Sequence, residues 1–443
     1  MNNRKLGTGW GRRHTVLAMC LLGLVLAYTD RVNMAVASVA MREQFGWSQT
    51  TKGLVLSSFF IGYLLFMVAS GALAARFGGK RVLAGGVLWW SVFTLLTPFA
   101  ASVSLSALIV ARIALGLGEA AVLPATYELF GRWVPPKERG RAMAWFFSGT
   151  PLGQVIGFAG SGWLTAQAGW PASFYVFGVL GFVWVAVWLA RISDSPSYDK
   201  RISVEERELL AADGIAGVSA IGSATPWRLL LGHPGLWAIV VAVFCGNWTL
   251  YMLLAWLPSY FREVHGLSIA SSGLYSAAPW VASFLGMQAA GLASDAAIVR
   301  GVRTITVRKL MTTVSLLGMG LCLLLLQGVH SAPIALTLIC MATALGGAGV
   351  AGSFAGPLDI APQYAGVVIG FVNTIGTIPG VAGVAITGWL VETTHSYATA
   401  FLVTAVLGVL GTVYYCCFAS AEPIEHRIRP LPLGDSASTT ASP

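Results

Sequence analysis

Apolar runs of about 20 residues recur along the whole of this 443-residue chain. A run of that length is what an α-helix needs to cross the hydrocarbon core of a bilayer. The pattern therefore predicts an all-α membrane protein, with twelve transmembrane helices arranged as two six-helix bundles. The predicted spans, numbered 1 to 12 below, are 15–40, 54–75, 82–101, 104–130, 141–165, 172–191, 234–260, 272–294, 308–328, 333–357, 363–390 and 397–420.

Composition and charge exclude several other classes of protein. Hydrophobic residues make up 56% of the chain and charged residues only 10%, against about 25% charged residues in a soluble domain. The net charge of +9 does not indicate nucleic-acid binding, because the basic residues lie in short loops between apolar runs. The six cysteines all fall within apolar runs and show no metal-ligand spacing. We expect no cofactor. The sequence shows no nucleophile–base set of the kind that would indicate an enzyme.

The distribution of basic residues predicts the orientation in the membrane. With the N-terminus in the cytoplasm, 22 of the 27 Lys and Arg residues lie on the cytoplasmic side. Cytoplasmic loops of membrane proteins carry such an excess of positive charge. The opposite side holds only Arg42, Lys52 and Arg262. We therefore expect both termini in the cytoplasm, with the first apolar run retained as span 1 because no small-residue cleavage site follows it.

A polar stretch divides the chain into two halves. The predicted organisation is an N-terminal bundle 1–192, a cytoplasmic linker 193–232, a C-terminal bundle 233–421 and a cytoplasmic tail 422–443. The two halves are weakly similar. The segment 71–81 joins spans 2 and 3, and the segment 291–295 lies at the same place between spans 8 and 9. A parallel repeat of this kind is typical of a transporter whose two bundles rock against each other.

Four charged residues lie deep inside apolar spans. Asp30 and Arg31 interrupt span 1, and Arg112 and Glu119 lie seven residues apart in span 4. An ionisable group at this depth costs about 3 kcal/mol on insertion scales. Two turns of helix place the span 4 pair on one face, so we expect each residue to look across to an opposite charge on span 1. A static lock between helices is one reading; we favour a water-lined site for charged cargo or protons.

Other charges and small residues have local interpretations. Glu128, four residues before Arg132, predicts a surface ion pair near a helix end.

Glycines spaced at short intervals on spans 5 and 11 let helix backbones approach closely. They fit either permanent packing or a seam along which the bundles slide, and the sequence leaves both readings open. These glycines are Gly149, Gly153, Gly157, Gly376 and Gly380.

Four stretches carry a resemblance to a known family. The segment Gly71–Arg81 resembles the helix 2–3 signature of the major facilitator superfamily. Three further stretches, 30–37, 112–125 and 358–366 with 373–377, together resemble its anion:cation symporter family. That family includes bacterial sugar-acid permeases, animal vesicular glutamate, sialic acid and phosphate carriers, and plant anion transporters.

The resemblance implies roles for individual residues. Asp30 and Glu119 match the family's proton-coupling carboxylates, and Arg31 and Arg112 match arginines at the anion site. Asn373 matches a polar substrate contact. The residues that match cavity-lining polar positions are Tyr63 on span 2 and Gln154 on span 5. The residues assigned to the cytoplasmic gate are Arg76, Lys80, Arg81, Asp295 and Asp359.

One departure from the family signature concerns the gate. The helix 2–3 signature usually has an acid where this chain has Ala75, whereas the corresponding C-terminal stretch keeps Asp295. The departure bears on the cytoplasmic gate and not on the substrate site.

The expected function is import of a small organic anion, a sugar acid or related carboxylate, together with protons. The resemblance implies a bacterial inner membrane, and we expect a monomer in the lipid bilayer that does not bind nucleic acid. Phosphate transport is an alternative that the plant and animal branches support. A drug or metabolite exporter is a weaker alternative, because such exporters carry a Gly-Pro pair followed by Gly-Gly where this chain reads Gly149–Gly153.

Overall fold

The computed structural model describes residues 10–135, 138–212, 227–361 and 364–421, and within these ranges the chain forms helices and no β-strand. The predicted all-α membrane fold is confirmed. The α-helices are α1 (Arg12–Phe45), α2 (Gln49–Phe77), α3 (Gly79–Val103), α4 (Leu105–Glu119), α5 (Val122–Trp133), α6 (Arg139–Phe147), α7 (Gly149–Ala168), α8 (Trp170–Arg191), α9 (Val204–Ala212), α10 (Trp227–Leu231), α11 (Pro234–His265), α12 (Ile269–Val299), α13 (Thr304–Leu325), α14 (Ala332–Gly346), α15 (Gly356–Ile360), α16 (Ala365–Thr394) and α17 (Ala398–Phe418).

Three of the predicted spans are interrupted helices. Span 4 divides into α4 and α5 at Ala120, and span 5 divides into α6 and α7 at Ser148. Span 10 comprises α14 and α15, joined by 3₁₀ turns. Counting α4–α5 and α14–α15 as one segment each, eleven described segments are long and apolar enough to cross a membrane. The Gly-rich α6–α7 segment takes the place of the remaining span.

Helices α1–α8, here called the N-half, and α10–α17, the C-half, pack mainly among themselves. Within the N-half α1 lies against α7 and α8, and within the C-half α11 lies against α16 and α17. The halves meet where α2 packs on α16 and α7 packs on α12. The domain boundaries at 192, 232 and 421 stay predictions, and residues 213–226 and 422–443 lie outside the described ranges.

The two ends of the helix bundle are named here by what they carry. The linker side is the end where α1 begins and α8 ends, and the far side is the end where α1 meets α2. On the linker side the polar stretch contains the short helix α9. Glu206 of α9 accepts hydrogen bonds from the backbone N–H of Arg12 (2.8 Å) and from the Arg13 guanidinium (3.1 Å). The linker is thereby anchored to the start of α1.

The contacts of the α7 glycines distinguish between the two interpretations that the sequence left open, permanent packing and a seam between the bundles. A Cβ added at Gly153 would lie 2.5 Å from the carbonyl oxygen of Val25, and one at Gly149 would lie 3.0 Å from that of Leu21. Both contacts are on α1 of the same half, as is that of Gly157. These three glycines therefore serve close packing within the N-half.

Other glycines line the contact between the halves. A Cβ at Gly162 would lie 3.1 Å from the Cα of Gly273, and one at Gly53 would lie 3.3 Å from the Cα of Gly388. Gly380 of α16 faces the Phe60 ring of α2, whereas Gly376 faces α11 of its own half. Close backbone approach at these points allows the halves to meet with few intervening side chains.

Candidate anion and coupling site

Two charged pairs from the sequence meet between α1 and α4. Asp30 and Arg31 lie near the middle of α1 and are 3% and 9% exposed, and Arg112 and Glu119 on α4 are each 1% exposed. The Arg31 Nη2 atom lies 2.9 Å from Glu119 Oε2. The expectation that Glu119 looks across to an opposite charge on span 1 is confirmed.

The reciprocal pair does not form. No ion pair joins Arg112 to Asp30 within the part of the chain that the structure describes, although the charge of Asp30 acts on the Arg112 guanidinium. The expectation that Arg112 looks across to Asp30 is therefore met through their charges and not through a direct contact. The Arg112 guanidinium instead lies 5.4 Å from the centre of the Phe59 ring. The buried atoms of the four charged residues that lack a hydrogen-bond partner are Asp30 Oδ1, Arg31 Nε, Arg112 Nε and Nη1, and Glu119 Oε1.

Unpartnered buried polar atoms are uncommon in native proteins and call for a specific explanation. Here they comprise guanidinium donors and carboxylate acceptors that are buried on α1 and α4. The donors can bind an anion, and the acceptors can take up protons. The arrangement therefore provides the chemistry of an anion site with adjacent coupling groups.

An aromatic shell surrounds the Arg31 guanidinium. The ring centres of Tyr28, Phe59 and Tyr63 lie 4.6, 4.9 and 5.0 Å from Arg31 Cζ. Ring faces attract cations at such distances, and the shell holds the guanidinium without neutralising it. Tyr63 thus lies beside Arg31, and its role as a substrate contact stays a prediction. Sequence reasoning missed Tyr28 and Phe59, although Tyr28 lies one turn before Arg31 and Phe59 one turn before Tyr63.

The two arginines border a small cavity between the halves. Its lining joins N-half residues of α1, α2 and α4 to residues of α11 in the C-half. The lining residues are Arg31, Ala35, Leu56, Phe59, Phe60, Arg112, Leu254 and Ala255. Because both halves contribute to the walls, relative movement of the halves would change access to the arginines.

Helix α11 contributes two further residues that sequence reasoning missed. The ring of Tyr251 lies 4.7 Å from that of Phe60 across the boundary between the halves. Asn247, one turn earlier, donates from Nδ2 to the Gly376 carbonyl of α16 at 2.7 Å. No charged residue marks this part of span 7, so the sequence offered no signal for either.

The remaining two predicted substrate contacts, Gln154 and Asn373, lie on α7 and α16. Gln154 is buried on α7, next to Gly153, whose carbonyl accepts a hydrogen bond from Thr29 of α1 (3.1 Å). Asn373 is half-buried on α16, one turn before Gly376. Among the described residues, neither side chain has a hydrogen bond to the four buried charges. Their roles as substrate contacts stay predictions.

The five residues assigned to the gate lie on the linker side and form no ion pair with the opposite half among the described residues. Asp359 pairs with Arg308 of its own half (2.7 Å). Arg76, Arg81 and Asp295 are exposed, while the backbone N–H of Lys80 donates to Asp194 at 3.1 Å. The assignment to a gate stays a prediction, because no ion pair between the halves tests it at the linker-side ends that the structure describes.

The helix 2–3 connection lacks an acid at Ala75, but carboxylates from other parts of the N-half bind there. Glu128 pairs with Arg132, as predicted, and also accepts a hydrogen bond from the backbone N–H of Gly79 (2.6 Å). Together with Asp194 it binds the first N–H groups of α3, where negative charge is favourable. The start of α3 beside Ala75 is thus stabilised by acids from elsewhere in the N-half.

The far side, by contrast, is bridged. All ion pairs between the halves within the described ranges lie there. Glu263 of α11 lies 3.4 Å from Lys52 Nζ and 3.6 Å from Arg42 Nη1, and Arg262 lies 3.3 Å from Glu43. Sequence reasoning counted these cations for orientation only. The conformation is therefore closed on the far side.

Comparisons with known proteins agree with this architecture. The family model of the Major Facilitator Superfamily matches residues 19–384. The chain resembles a bacterial homolog to the human lysosomal transporter Spinster, at a TM-score of 0.74 and 17% identity over 91% of this chain and 96% of that one. It also resembles a D-xylose–proton symporter, at a TM-score of 0.70 and 14% identity over 92% and 98% of the two chains.

Relatives with similar sequences identify the family within this superfamily. A probable anion transporter 4 of Oryza sativa subsp. japonica chloroplasts is 40% identical over 93% of this chain and 69% of its own. The sodium-dependent phosphate transport protein 1 of Arabidopsis thaliana chloroplasts is 40% identical over 93% and 80%. The ascorbate transporter of Arabidopsis chloroplasts is 37% identical over 93% and 76%. With the buried arginines and carboxylates in place, the chain belongs to the anion:cation symporter family of the major facilitator superfamily.

Proposed function

We propose that this protein is a secondary active transporter that carries a small organic anion with protons by alternating access. The observation that carries the proposal is the buried Arg31–Glu119 ion pair. It lies with Asp30 and Arg112, which keep buried atoms without hydrogen-bond partners, and both arginines line a cavity between the halves. The relatives' names, which all denote transporters of anions, support the coarser statement.

Charge balance supplies the coupling mechanism. With Asp30 and Glu119 ionised, their charges offset those of Arg31 and Arg112, and an added anion would be unfavourable. Protonation of the carboxylates leaves net positive charge, so an anion can enter and restore balance. A proton gradient then contributes about 1.4 kcal/mol per pH unit, and the membrane potential about 2.3 kcal/mol per charge per 100 mV.

The orientation follows from the basic residues. We propose that the linker side faces the cytoplasm of a bacterial cell and that the far side faces outward, across the inner membrane. The far-side bridges then hold the transporter shut toward the outside. Release of these bridges and closure of the linker-side ends would expose the arginine site to the exterior.

Inorganic phosphate is the second candidate substrate. Its support is the Arabidopsis relative named for phosphate, together with the guanidinium forks of Arg31 and Arg112, which suit phosphate as well as carboxylate geometry. The relative named for ascorbate supports an organic anion in the same way. The site chemistry is therefore that of a small oxyanion.

Purified protein in proteoliposomes tests the function. Uptake of radiolabelled gluconate, ascorbate and phosphate would be measured under a proton gradient, a sodium gradient or neither. We expect proton-driven accumulation of at least one anion that Arg112→Ala abolishes, with Arg300→Ala as an exposed control of equal charge change. Accumulation only under the sodium gradient would contradict proton coupling, and no uptake of any anion would contradict the proposed substrate class.

A further inference from the structure

A lysine is fully buried where the halves meet on the far side. Lys52, near the start of α2, is 0% exposed, and its Nζ donates to Ser259 Oγ at 2.5 Å. Its other neighbours are Glu263 at 3.4 Å and the Trp256 ring at 4.9 Å. All three lie on α11 of the opposite half, so this buried charge depends on partners that must leave when the far side opens.

Glu263 is the centre of the contacts that hold this end shut. Its carboxylate accepts hydrogen bonds from Gln49 Nε2 and from the Tyr397 hydroxyl, both at 2.8 Å, and lies 3.6 Å from Arg42. Outside it is a cavity of about 600 Å³ whose lining includes Arg42, Gln49, Glu263 and Tyr397. A small solute can therefore reach the edge of this cluster while the halves remain closed.

Two helix faces connect this cluster to the arginine site. Arg42 follows Arg31 by eleven residues on α1, and Tyr63 follows Lys52 by eleven residues on α2. Eleven residues are close to three turns, so each pair shares one face of its helix about 16 Å apart. Leu56 lies between Lys52 and Tyr63 on that face and lines the central cavity.

When the halves separate at the far side, Glu263 moves with the C-half while Lys52 and Arg42 stay on the N-half. We propose that Lys52 and Arg42 form an outer capture site for the transported oxyanion, and that the anion opens the far side by replacing Glu263 as their partner. This inference rests on the proposed anion transport and adds a second anion site above the arginine centre. A carboxylate or phosphate group is the chemical class that can substitute for the Glu263 carboxylate.

Paired variants distinguish anion capture from a purely structural lock. Radiolabelled phosphate and gluconate uptake from the far side would be measured for Lys52→Gln and Glu263→Gln. Capture predicts opposite changes: KM rises at least tenfold in Lys52→Gln, which lacks the binding cation, and falls in Glu263→Gln, which lacks the competing carboxylate. A lock alone predicts that both variants shift KM in the same direction. Arg262→Gln, which removes the other far-side bridge, should leave KM within threefold.

A second readout does not depend on transport. Ala255→Cys, in a background lacking the native cysteines, would be labelled from the far side with an impermeant maleimide. We expect phosphate or gluconate to increase labelling with Lys52 and Glu263 intact, to have no effect in Lys52→Gln, and to find labelling already high in Glu263→Gln. Labelling that neither anion changes in the intact cluster would overturn the capture site, whatever the transport result. Inactive transport with anion-dependent labelling would contradict the proposed function alone.

Discussion

At the scale of single residues, the site combines one complete ion pair with one incomplete pair. Removing one partner of a buried ion pair costs about 3–5 kcal/mol, because the remaining charge is left without compensation. The Arg31–Glu119 contact is therefore under strong constraint, whereas Arg112 and Asp30 form no ion pair among the described residues and keep buried atoms without a hydrogen-bond partner. Under the proposed proton coupling, anion binding and protonation would act first at Arg112 and Asp30 and would also have to change the Arg31–Glu119 pair.

Glu119→Gln should abolish proton-driven accumulation and leave counterflow exchange measurable. Glutamine keeps the size of the side chain and can still accept a hydrogen bond from Arg31, but it does not titrate. None of the described histidines lies at this depth to replace it. Accumulation and counterflow in the same proteoliposomes provide the test, and accumulation equal to that of the unmodified protein would refute the coupling role.

Arg31→Lys should impair transport more than a substitution that conserves charge suggests. Arginine presents a planar fork that can hold Glu119 and an oxyanion together, whereas lysine is a compact point charge. Lysine would also lose the stacking against Tyr28, Phe59 and Tyr63. We expect kcat/KM to fall by more than tenfold. A change within threefold, about 0.65 kcal/mol, would show that Arg31 has only a structural role.

The sequence was sufficient to find the four buried charges and to predict that Glu119 faces an opposite charge on span 1, but not to find their other neighbours. Asp30, Arg31, Arg112 and Glu119 stand out because ionisable groups are rare in apolar runs. Helical spacing placed Arg112 and Glu119 on one face but could not show that the Arg112 guanidinium would lie over the Phe59 ring. Aromatic and amide residues such as Tyr251 and Asn247 are common in membrane helices, so only the packing of α11 against α2 and α16 reveals them.

At the scale of helices, the glycines have two packing roles. The helix that each glycine contacts shows which role it has. Gly153 abuts the α1 backbone within one half, whereas Gly162 and Gly53 meet glycines of the other half. Spacing alone could not make this distinction, because both roles require the same small side chain. The interruptions of spans 4, 5 and 10 were also hidden, since the apolar pattern continues through them.

Gly153→Ala tests the packing role against a matched control. The added methyl group would lie 2.5 Å from a backbone oxygen of α1, and overpacking of this kind costs about 1–3 kcal/mol. Gly370, in α16, has open space around its Cα, so Gly370→Ala should be neutral or stabilising, because alanine favours helix by about 1 kcal/mol. Thermal unfolding in detergent should show opposite shifts, and equal melting temperatures would argue against the tight α1–α7 contact.

At the scale of the whole molecule, the conformation is set by the balance between its two ends. Far-side ion pairs join the halves, whereas among the described residues no ion pair of the linker side joins the N-half to the C-half. Apolar periodicity and the six-plus-six division predicted the helices well. Neither could predict the conformational state, because that depends on contacts such as Lys52–Glu263 between residues more than 200 positions apart.

Restoring the acid missing from the helix 2–3 signature should shift this balance. Ala75 and Arg76 are exposed on the linker side, so an Ala75→Asp carboxylate would have few partners while that side is open. It can pair with cations of the C-half only when the linker-side ends approach, which accompanies opening of the far side. An exposed ion pair is worth at most about 1 kcal/mol, which changes a two-state equilibrium by about fivefold.

Far-side maleimide labelling of an Ala255→Cys reporter, without native cysteines, measures the shift. We expect Ala75→Asp to label up to about five times faster, and Ala75→Asn, which has the same shape without the charge, to label at the original rate. Raised salt should reduce the difference, because exposed charges are screened. Equal rates for Ala75→Asp and Ala75→Asn would mean that Glu128 and Asp194, which already bind the start of α3, leave no role for an acid at this position.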